Sequence, residues 1–372
     1  MKYFFIFMTR GKFGIYDRKT KKLSIGGVQT YMYDLAQLVY KRGYRPVIIE
    51  MNSDGYTDKY SFDNIEVWQT SFKRNYIRNS FNFIYNEFGS GDNLFLISTD
   101  NLDIKCNAKN VIAVQHGIAF DEPVFGFTKY IIKPLRIIKN IWRCVIVNNT
   151  VCVDYNYYNW FRAVYTLPKN HNVKVIPNYT SNSISRDELL SKLAKRSQRK
   201  IVFSRRFVEH RGTLIFVNAV KKLLSEYSDL DVTFAGAGPL KDFIEQQFKN
   251  DARVHMTSYA STQSIQFHSQ FDISVVPTVF SEGTSLSLLE AMAAGCYPIA
   301  SCVGGLSNIL LDGYNGTLII PTEDELYTSL KDVLEMPYDR FANMVTNAYN
   351  TATQGFSKKN WEEKWNAYID NL

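Results

Sequence analysis

SEGTSLSLLEAMAAGCYPIASCVGGLSNILLDGYNG, Ser281 to Gly316, constrains the chain more tightly than any other stretch. Before it stands Phe271-Asp-Ile-Ser-Val-Val-Pro277, apolar and β-branched, which predicts a short strand buried on both faces of a parallel sheet and stopped by proline. Inside it, Leu286, Leu289 and Ala293 recur at helical spacing among good helix formers, and Gly295 supplies the stop. Tyr297-Pro-Ile-Ala-Ser301 predicts the next strand. Strand, loop, helix and strand make a βαβ unit, so the fold class is α/β. Open α/β sheets bind ligands beyond the carboxyl ends of their strands. Glu282-Gly283-Thr284-Ser285 occupies that place.

The loop brings unpaired backbone N–H groups and the positive end of a helix dipole, both suited to a phosphate oxygen. Glu290 lies about two turns beyond Glu282, roughly 12 Å along the helix axis. Two carboxylates so spaced can each accept hydrogen bonds from a pair of hydroxyls, one pair on either side of that phosphate. This is the layout of a sugar nucleotide. Either Glu alone reads equally as a dipole partner or a solvated helix residue. Together, Glu-x7-Glu within EGTSLSLLEAMAAG, then Pro298, Gly304-Gly305 and Asp312-Gly-Tyr-Asn-Gly316, closely resemble the signature of family 4 retaining glycosyltransferases of the GT-B fold.

The resemblance implies two Rossmann-like domains facing each other across a cleft, with the nucleotide held mainly by the second. It implies that Glu290 holds the ribose hydroxyls and Glu282 the donor sugar, with Gly283, Thr284, Ser285 and Leu286 in the donor site. Two further blocks carry it. Arg205-Arg-Phe-Val-Glu-His-Arg-Gly212 follows the strand Lys200–Ser204 and looks like the family's G-R-L-x-x-x-K-G motif, which puts Arg206 and Arg211 on the leaving diphosphate. Gly236-Ala-Gly-Pro239 follows the strand Asp231–Ala235 and looks like its G-x-G-P loop, which puts Gly236 and Gly238 near the nucleotide. By the same analogy Val254–Tyr259 lines the base pocket. Read from residue type alone, these arginines are either a bidentate fork for phosphate or solvated surface groups, and the glycines either a ligand loop or a structural turn. Arg205 departs from the family's glycine, narrowing the pocket or adding a third phosphate contact. Arg211 stands for lysine, which keeps the charge and changes its reach.

In the N-terminal half, the apolar run Tyr3–Met8 has no cleavage site after it and reads as the first strand. Gly11 to Ser24 is a polar loop, and Ile25-Gly-Gly-Val28 opens a helix, Gln29–Arg42, striped by Met32, Leu35, Ala36 and Val39. Val47–Glu50 is the next strand. With no G-x-G-x-x-G, a nicotinamide site is disfavoured. By resemblance, Gly26 and Gly27 let the backbone approach the diphosphate and the acceptor. Asp92–Thr99 and Val111–Gln115 are further strands, the second ending at His116-Gly117. A lone histidine there is more often structural than catalytic. Its place at a strand's carboxyl end favours function, and the resemblance sets it against the sugar.

KYIIKPLRIIKNIWR, Lys129 to Arg143, reads as an amphipathic helix with Ile131, Leu135, Ile138 and Trp142 on one face and Lys129, Lys133, Arg136 and Arg143 on another. Pro134 suits a first turn better than a helix middle. The stretch is either an interfacial helix on anionic lipid or a core-facing helix with a solvated basic side. Cys144–Val147 and Val173–Ile176 read as strands, and the tyrosine-rich Asp154–Trp160 as core or interdomain packing, with stacking on a sugar or base as the other use. The linker falls in Thr180–Lys200. The expected domains are 1–178, 179–355 and a C-terminal helix in 356–372 with Trp361, Trp365, Tyr368 and Ile369 buried, which in similar folds crosses back to the first domain.

The whole chain, 372 residues, suits two α/β domains of about 180 each. No stretch approaches the ~20 apolar residues of a membrane span. Five cysteines without a C-x-x-C pair suggest neither a disulfide framework nor zinc, and fit a reducing cytosol. The net charge of +7 is uneven: residues 1–178 carry 24 Lys and Arg against 14 Asp and Glu, the remainder 19 against 22. An anionic partner for the first half follows. Basic residues alternate with aromatics only near 129–143, which disfavours nucleic acid and leaves a membrane surface. The expected partners are therefore a nucleoside diphosphate sugar, uridine before guanosine, and a lipid-linked oligosaccharide acceptor at the inner face of the cell membrane, as in O-antigen or capsule assembly. No His/Asp/Glu cluster is apparent, and the resemblance implies no metal and no other cofactor. A GT-B sugar-nucleotide epimerase, a phosphorylase (which needs a pyridoxal-binding lysine) and a non-catalytic binding or scaffold protein are the alternatives.

Overall fold

The structure is a computed structural model that describes residues 2–8, 16–17, 22–23, 26–51, 58–70, 76–98, 108–118, 121–123, 126–145, 147–166, 169–280 and 282–372. Most of the Gly11–Ser24 loop, Ile25, Thr99 and Ser281 lie outside the described residues, as do the side chains of Trp142 and Arg143. The chain divides into two compact units. One comprises Met1–His116, Val124–Ile176 and Lys364–Leu372, the other Gly117–Pro123 and Pro177–Glu363.

In the first unit, β1 (Lys2–Phe7), β2 (Tyr44–Met51), β3 (Lys59–Phe62), β4 (Ile65–Thr70), β5 (Leu94–Ser98), β6 (Val111–Gln115), β7 (Asn149–Cys152) and β8 (Asn172–Val175) form one sheet in the order β8-β7-β6-β5-β1-β2-β4-β3. All pairs are parallel except β3 with β4. Phe4 to Phe7 are wholly buried, as a strand covered on both faces requires. Phe5 stacks on Phe95 of the neighbouring strand at 5.2 Å. The helix Gly27–Lys41 buries the stripe Met32, Leu35, Ala36 and Val39, together with Tyr31. Tyr31 accepts a hydrogen bond from Trp365 Nε1 at 2.9 Å. All four expected apolar residues of the C-terminal helix, Lys358–Asp370, are buried.

Two expectations in this unit need correction. Cys144 and Val145 do not begin a strand: the helix Lys129–Val145 runs through them, and β7 starts at Asn149. Periodicity cannot separate a four-residue apolar strand from the end of a buried-looking helix. Pro134 sits inside that helix rather than in its first turn. The N–H it lacks would have bonded the Tyr130 carbonyl, and Tyr130 is exposed, so water can take that bond.

The second unit holds β9 (Lys200–Ser204), β10 (Asp231–Ala235), β11 (Val254–Thr257), β12 (Ile273–Val276), β13 (Tyr297–Ser301) and β14 (Thr317–Ile319), all parallel, in the order β11-β10-β9-β12-β13-β14. Counted within the sheet this is 3-2-1-4-5-6, the doubly wound order, and its direction reverses between β9 and β12. Phe203, Phe207, Phe216 and Phe234 pack as one aromatic cluster under β9 and β10, which holds the end of β9 rigid. Everything that leaves the carboxyl ends of β9 and β12 therefore meets at one crevice.

Candidate active site

Arg205 leaves β9 directly, and the loop after β12 carries Thr278 and Glu282. Arg205 Nη1 donates to Ser285 Oγ and Ser287 Oγ, both at 2.8 Å; Nη2 donates to Thr278 Oγ1 at 3.2 Å and to Glu282 Oε2. Arg211 Nη1 donates to the same Glu282 oxygen, as does Thr278 Oγ1 at 3.0 Å. Glu282 Oε1 accepts nothing from the described residues. The side chains of Arg205 and Glu282 are 7% and 10% exposed, that of Arg211 28%. Burial draws the Arg211 guanidinium below its ordinary value, Arg205 adds to that and Glu282 opposes it, yet arginine stays charged at neutral pH.

Behind the carboxylate, Gly305 N donates to the Glu282 carbonyl at 3.0 Å. Gly304 has φ +54°, and a Cβ there would overlap that carbonyl oxygen, so this turn admits only glycine. Asn178 Nδ2 donates to the Thr284 carbonyl at 2.5 Å. Ser285 is the N-cap of the helix Leu286–Ala293 but gives it no side-chain cap, since its hydroxyl serves Arg205. The first N–H groups of that helix thus point outward without a side-chain acceptor, beside two guanidinium groups.

Glu290 lies further along the same helix, half-buried, with Ser264 Oγ donating to its Oε2 at 2.5 Å. Burial pushes its carboxyl up to about 7, against the hydrogen bond from Ser264. Nearby, Tyr259 bonds Ser204 through its hydroxyl and stacks on Phe267 at 4.1 Å; burial raises its phenol to about 12. His268 Nδ1 contacts the Ser264 carbonyl at 2.8 Å, and its imidazole is held down to about 4 by burial. Glu290 is thus surrounded by Ser264, Tyr259 and His268, without a cationic partner among the described residues, while Glu282 stands beside two guanidinium groups.

Gly236 and Gly238 sit against backbone: a Cβ on the first would overlap the Arg205 carbonyl oxygen, and on the second that of Phe207. The Arg206 side chain is exposed and has no hydrogen-bond or ion-pair partner among the described residues. Of the sequence-derived residues, then, the second unit brings together Arg205, Arg211, Glu282, Gly283, Thr284, Ser285 and Leu286, with Glu290 two turns behind. Gly26, Gly27 and His116 belong to the first unit. Gly26 caps the helix that Gly27 begins, and His116 packs edge-on against Tyr31 at 5.1 Å with its Nε2 buried and without a partner. Burial lowers the His116 imidazole to about 4, so it is neutral at physiological pH. Among the described residues no three His, Cys, Asp or Glu side chains are grouped to hold a metal ion. A cavity of about 410 Å³ lined by Lys221, Gln247, Lys249 and Arg253 lies elsewhere on the second unit and contains none of the crevice residues.

The second unit is similar in sequence to known proteins. Residues 185–351 match the family described as glycosyl transferases group 1. A D-inositol 3-phosphate glycosyltransferase of Paenarthrobacter aurescens is 32% identical over 147 residues, 37% of this chain and 35% of that protein. A phosphatidyl-myo-inositol mannosyltransferase of Mycolicibacterium smegmatis is 27% identical over 165 residues, 43% of this chain and 42% of that protein. The chain thus spans well under half the length of these relatives. HepE of Anabaena, solved in complex with UDP and glucose, superposes with a TM-score of 0.72 at 14% identity, covering 100% of both chains. The fold is GT-B.

Within residues 185–351, Thr278, Ser287 and Ser264 contribute to the site without having been expected from the sequence. Thr278 carried a signal, because it follows Pro277 at the carboxyl end of a strand. Ser264 carried none: it lies in the polar run Ser261-Thr-Gln-Ser, and only the packing of two short helices aims its hydroxyl at Glu290.

Proposed function

We propose that the chain is a retaining glycosyltransferase that moves a hexosyl group from a nucleoside diphosphate sugar to a hydroxyl. The observation that carries this is the pair Glu282 and Glu290 on one loop and helix, at the reversal point of a doubly wound sheet, with two guanidinium groups beside the first. In this reading Glu290 accepts hydrogen bonds from the ribose hydroxyls, and the open Oε1 of Glu282 accepts from the donor sugar. Arg206 and Arg211, with the N–H groups at the helix start, offset the charge that grows on the leaving diphosphate. The anomeric C–O bond to phosphate breaks while a bond to the acceptor oxygen forms on the same face, and the departing phosphate takes the acceptor's proton. His116, neutral, positions the sugar or the acceptor. Uridine is the nucleotide, a choice supported by the UDP found in HepE. No metal takes part.

The acceptor is a lipid-linked glycan at the inner face of the cell membrane, in O-antigen or capsule assembly. The name of the mycobacterial relative, which specifies a phosphatidyl lipid, supports a lipid acceptor. So does the helix Lys129–Val145, where Ile131, Leu135 and Ile138 are 57%, 60% and 61% exposed beside Lys129, Lys133 and Lys139, with no acidic residue. Among the described residues no helix is long and apolar enough to cross a membrane.

The test is a thermal-shift panel of UDP, GDP, dTDP and ADP on the wild type, Glu290→Ala and Arg206→Ala. A nucleotide at 100 times its Kd stabilises the fold by about 2.7 kcal/mol. One nucleotide should shift the wild type and neither variant, and donor sugars of that nucleotide should then turn over on a lipid acceptor. Binding without turnover would instead identify a sugar-nucleotide-binding protein. No shift with any nucleotide would sink the reading.

A further inference from the structure

Arg205 stands in the place of the first glycine of the G-R-L-x-x-x-K-G motif that this block resembles, and its surroundings assign it a role distinct from that of the other two arginines. Both Nη groups are fully engaged: four acceptors, Ser285, Ser287, Thr278 and Glu282, take their four N–H bonds, and the side chain is almost wholly enclosed. Arg211 differs. It reaches Glu282 through Nη1 alone, is four times as exposed, and has no other partner among the described residues. Of the two guanidinium groups on Glu282, the one open to a ligand is therefore Arg211, and the one committed to the protein is Arg205.

The charges decide what this arrangement does. Glu282 carries one negative charge between two positive ones. Were Arg205 absent, Glu282 would cancel Arg211, the other guanidinium bonded to its Oε2. A phosphate entering would then have to break a partly buried ion pair, in surroundings where charge pairs are worth far more than in water. With Arg205 present, the Glu282 carboxylate is shared between the enclosed Arg205, Thr278 and Arg211, and the three charged groups together keep one net positive charge. We infer that Arg205 is a positioning residue that neutralises Glu282 and so keeps the charge of Arg211 available for the diphosphate of the donor. The inference rests on the proposed reading of the crevice as a nucleoside diphosphate sugar site. It explains why a buried arginine is tolerated at a glycine position: its charge is matched by Glu282, and three hydroxyls complete its hydrogen bonds.

Calorimetric titration of the full chain with UDP and GDP, and with uridine and guanosine as uncharged controls, tests this in the wild type, Arg205→Ala, Arg205→Lys and Arg205→Ala/Glu282→Gln. Melting temperatures are recorded for each. Losing one net positive charge should weaken diphosphate binding about tenfold in Arg205→Ala and leave nucleoside binding unchanged. Removing the Glu282 charge as well frees Arg211 again, so the double variant should return to within about threefold of the wild type. Arg205→Lys keeps the charge without the fork and should also stay within about threefold, which a purely geometric role would not allow. A double variant as weak as Arg205→Ala, or equal losses of nucleoside and diphosphate, overturns the inference alone. A wild type that binds neither diphosphate overturns the reading of the site, and the inference falls with it.

Discussion

Two helices of this chain treat their side chains in opposite ways. Lys129–Val145 of the first unit is long, basic and turns Ile131, Leu135 and Ile138 outward. Leu286–Ala293 of the second unit is short, buries Leu288, Leu289, Ala291, Met292 and Ala293, and carries a carboxylate, Glu290, into its packed surroundings. Exposed single apolar residues are ordinary, but a row of them on one helix is not, and neither is an acid inside. In both places the chain gives up stability that a simple core helix would have had. The first helix forgoes burial of several aliphatic side chains; the second desolvates a charge. Local departures of this kind are expected at functional sites.

The sharpest way to break the comparison is at Glu282, which introduces the second helix. Glu282→Ala leaves Arg205 enclosed and facing Arg211 with no carboxylate between them. The expected loss is about 3–5 kcal/mol in the stability of the second unit, read by denaturant unfolding. A loss under about 1 kcal/mol would mean that water reaches both guanidinium groups and that the crevice is not dry.

Next in size is Glu290. Its carboxyl is raised from an ordinary 4.5 to about 7, so between those values the folded chain holds a proton that the unfolded chain has released. Stability from this group is complete below about pH 4.5 and is lost as pH rises through about 7. Glu290→Gln imitates the protonated acid at every pH. The variant should match the wild type near pH 4.5 and exceed it by about 2–3 kcal/mol at pH 8, less than the full shift would give because the residue is only half-buried. Its nucleotide affinity should fall at pH 8, where the wild-type carboxyl is ionised, since an amide accepts ribose hydroxyls less well than a carboxylate. A gap that does not change with pH would show the carboxylate to be solvated.

How much of this the sequence carried depends on the distance between the residues involved. Strands β9, β10 and β13 have the residues that periodicity and punctuation predict, because each is a run of apolar residues between turn signals. The Glu-x7-Glu spacing is local as well, since a helix start and two turns of helix fix it. The hairpin of β3 and β4 was also legible and passed unread: Asp63-Asn64 both take positive φ, the two-residue turn that matches strand twist. The rest was not legible, for a physical reason. Arg205 meets Ser285 and Ser287 across some 80 positions of sequence, and Ser264 meets Glu290 across 26. Only the strand order brings those ends together, and no residue pattern states that order. Whether the apolar side of Lys129–Val145 faces in or out is likewise set by its neighbours, and the sequence left both open.

The smallest expected effect on stability is the one that bears on the first helix. Ile131→Ser, Leu135→Ser and Ile138→Ser remove three aliphatic side chains that stand in solvent, so each should change unfolding free energy by no more than about 0.5 kcal/mol. The same change in a packed helix would cost about 2–5 kcal/mol per site. Sedimentation with anionic vesicles at low salt gives the other half. If the face enters a lipid surface, each side chain is worth about 1.5 kcal/mol there, and the triple variant should lose at least about a hundredfold in partition. Lys133→Glu and Lys139→Glu should weaken binding by about 1 kcal/mol per charge or more, and less so as salt is raised. A triple variant that unfolds easily would put these residues in a core after all. One that is stable and still sediments would leave the charges alone to hold the membrane, and the outward turn of this helix would need another partner.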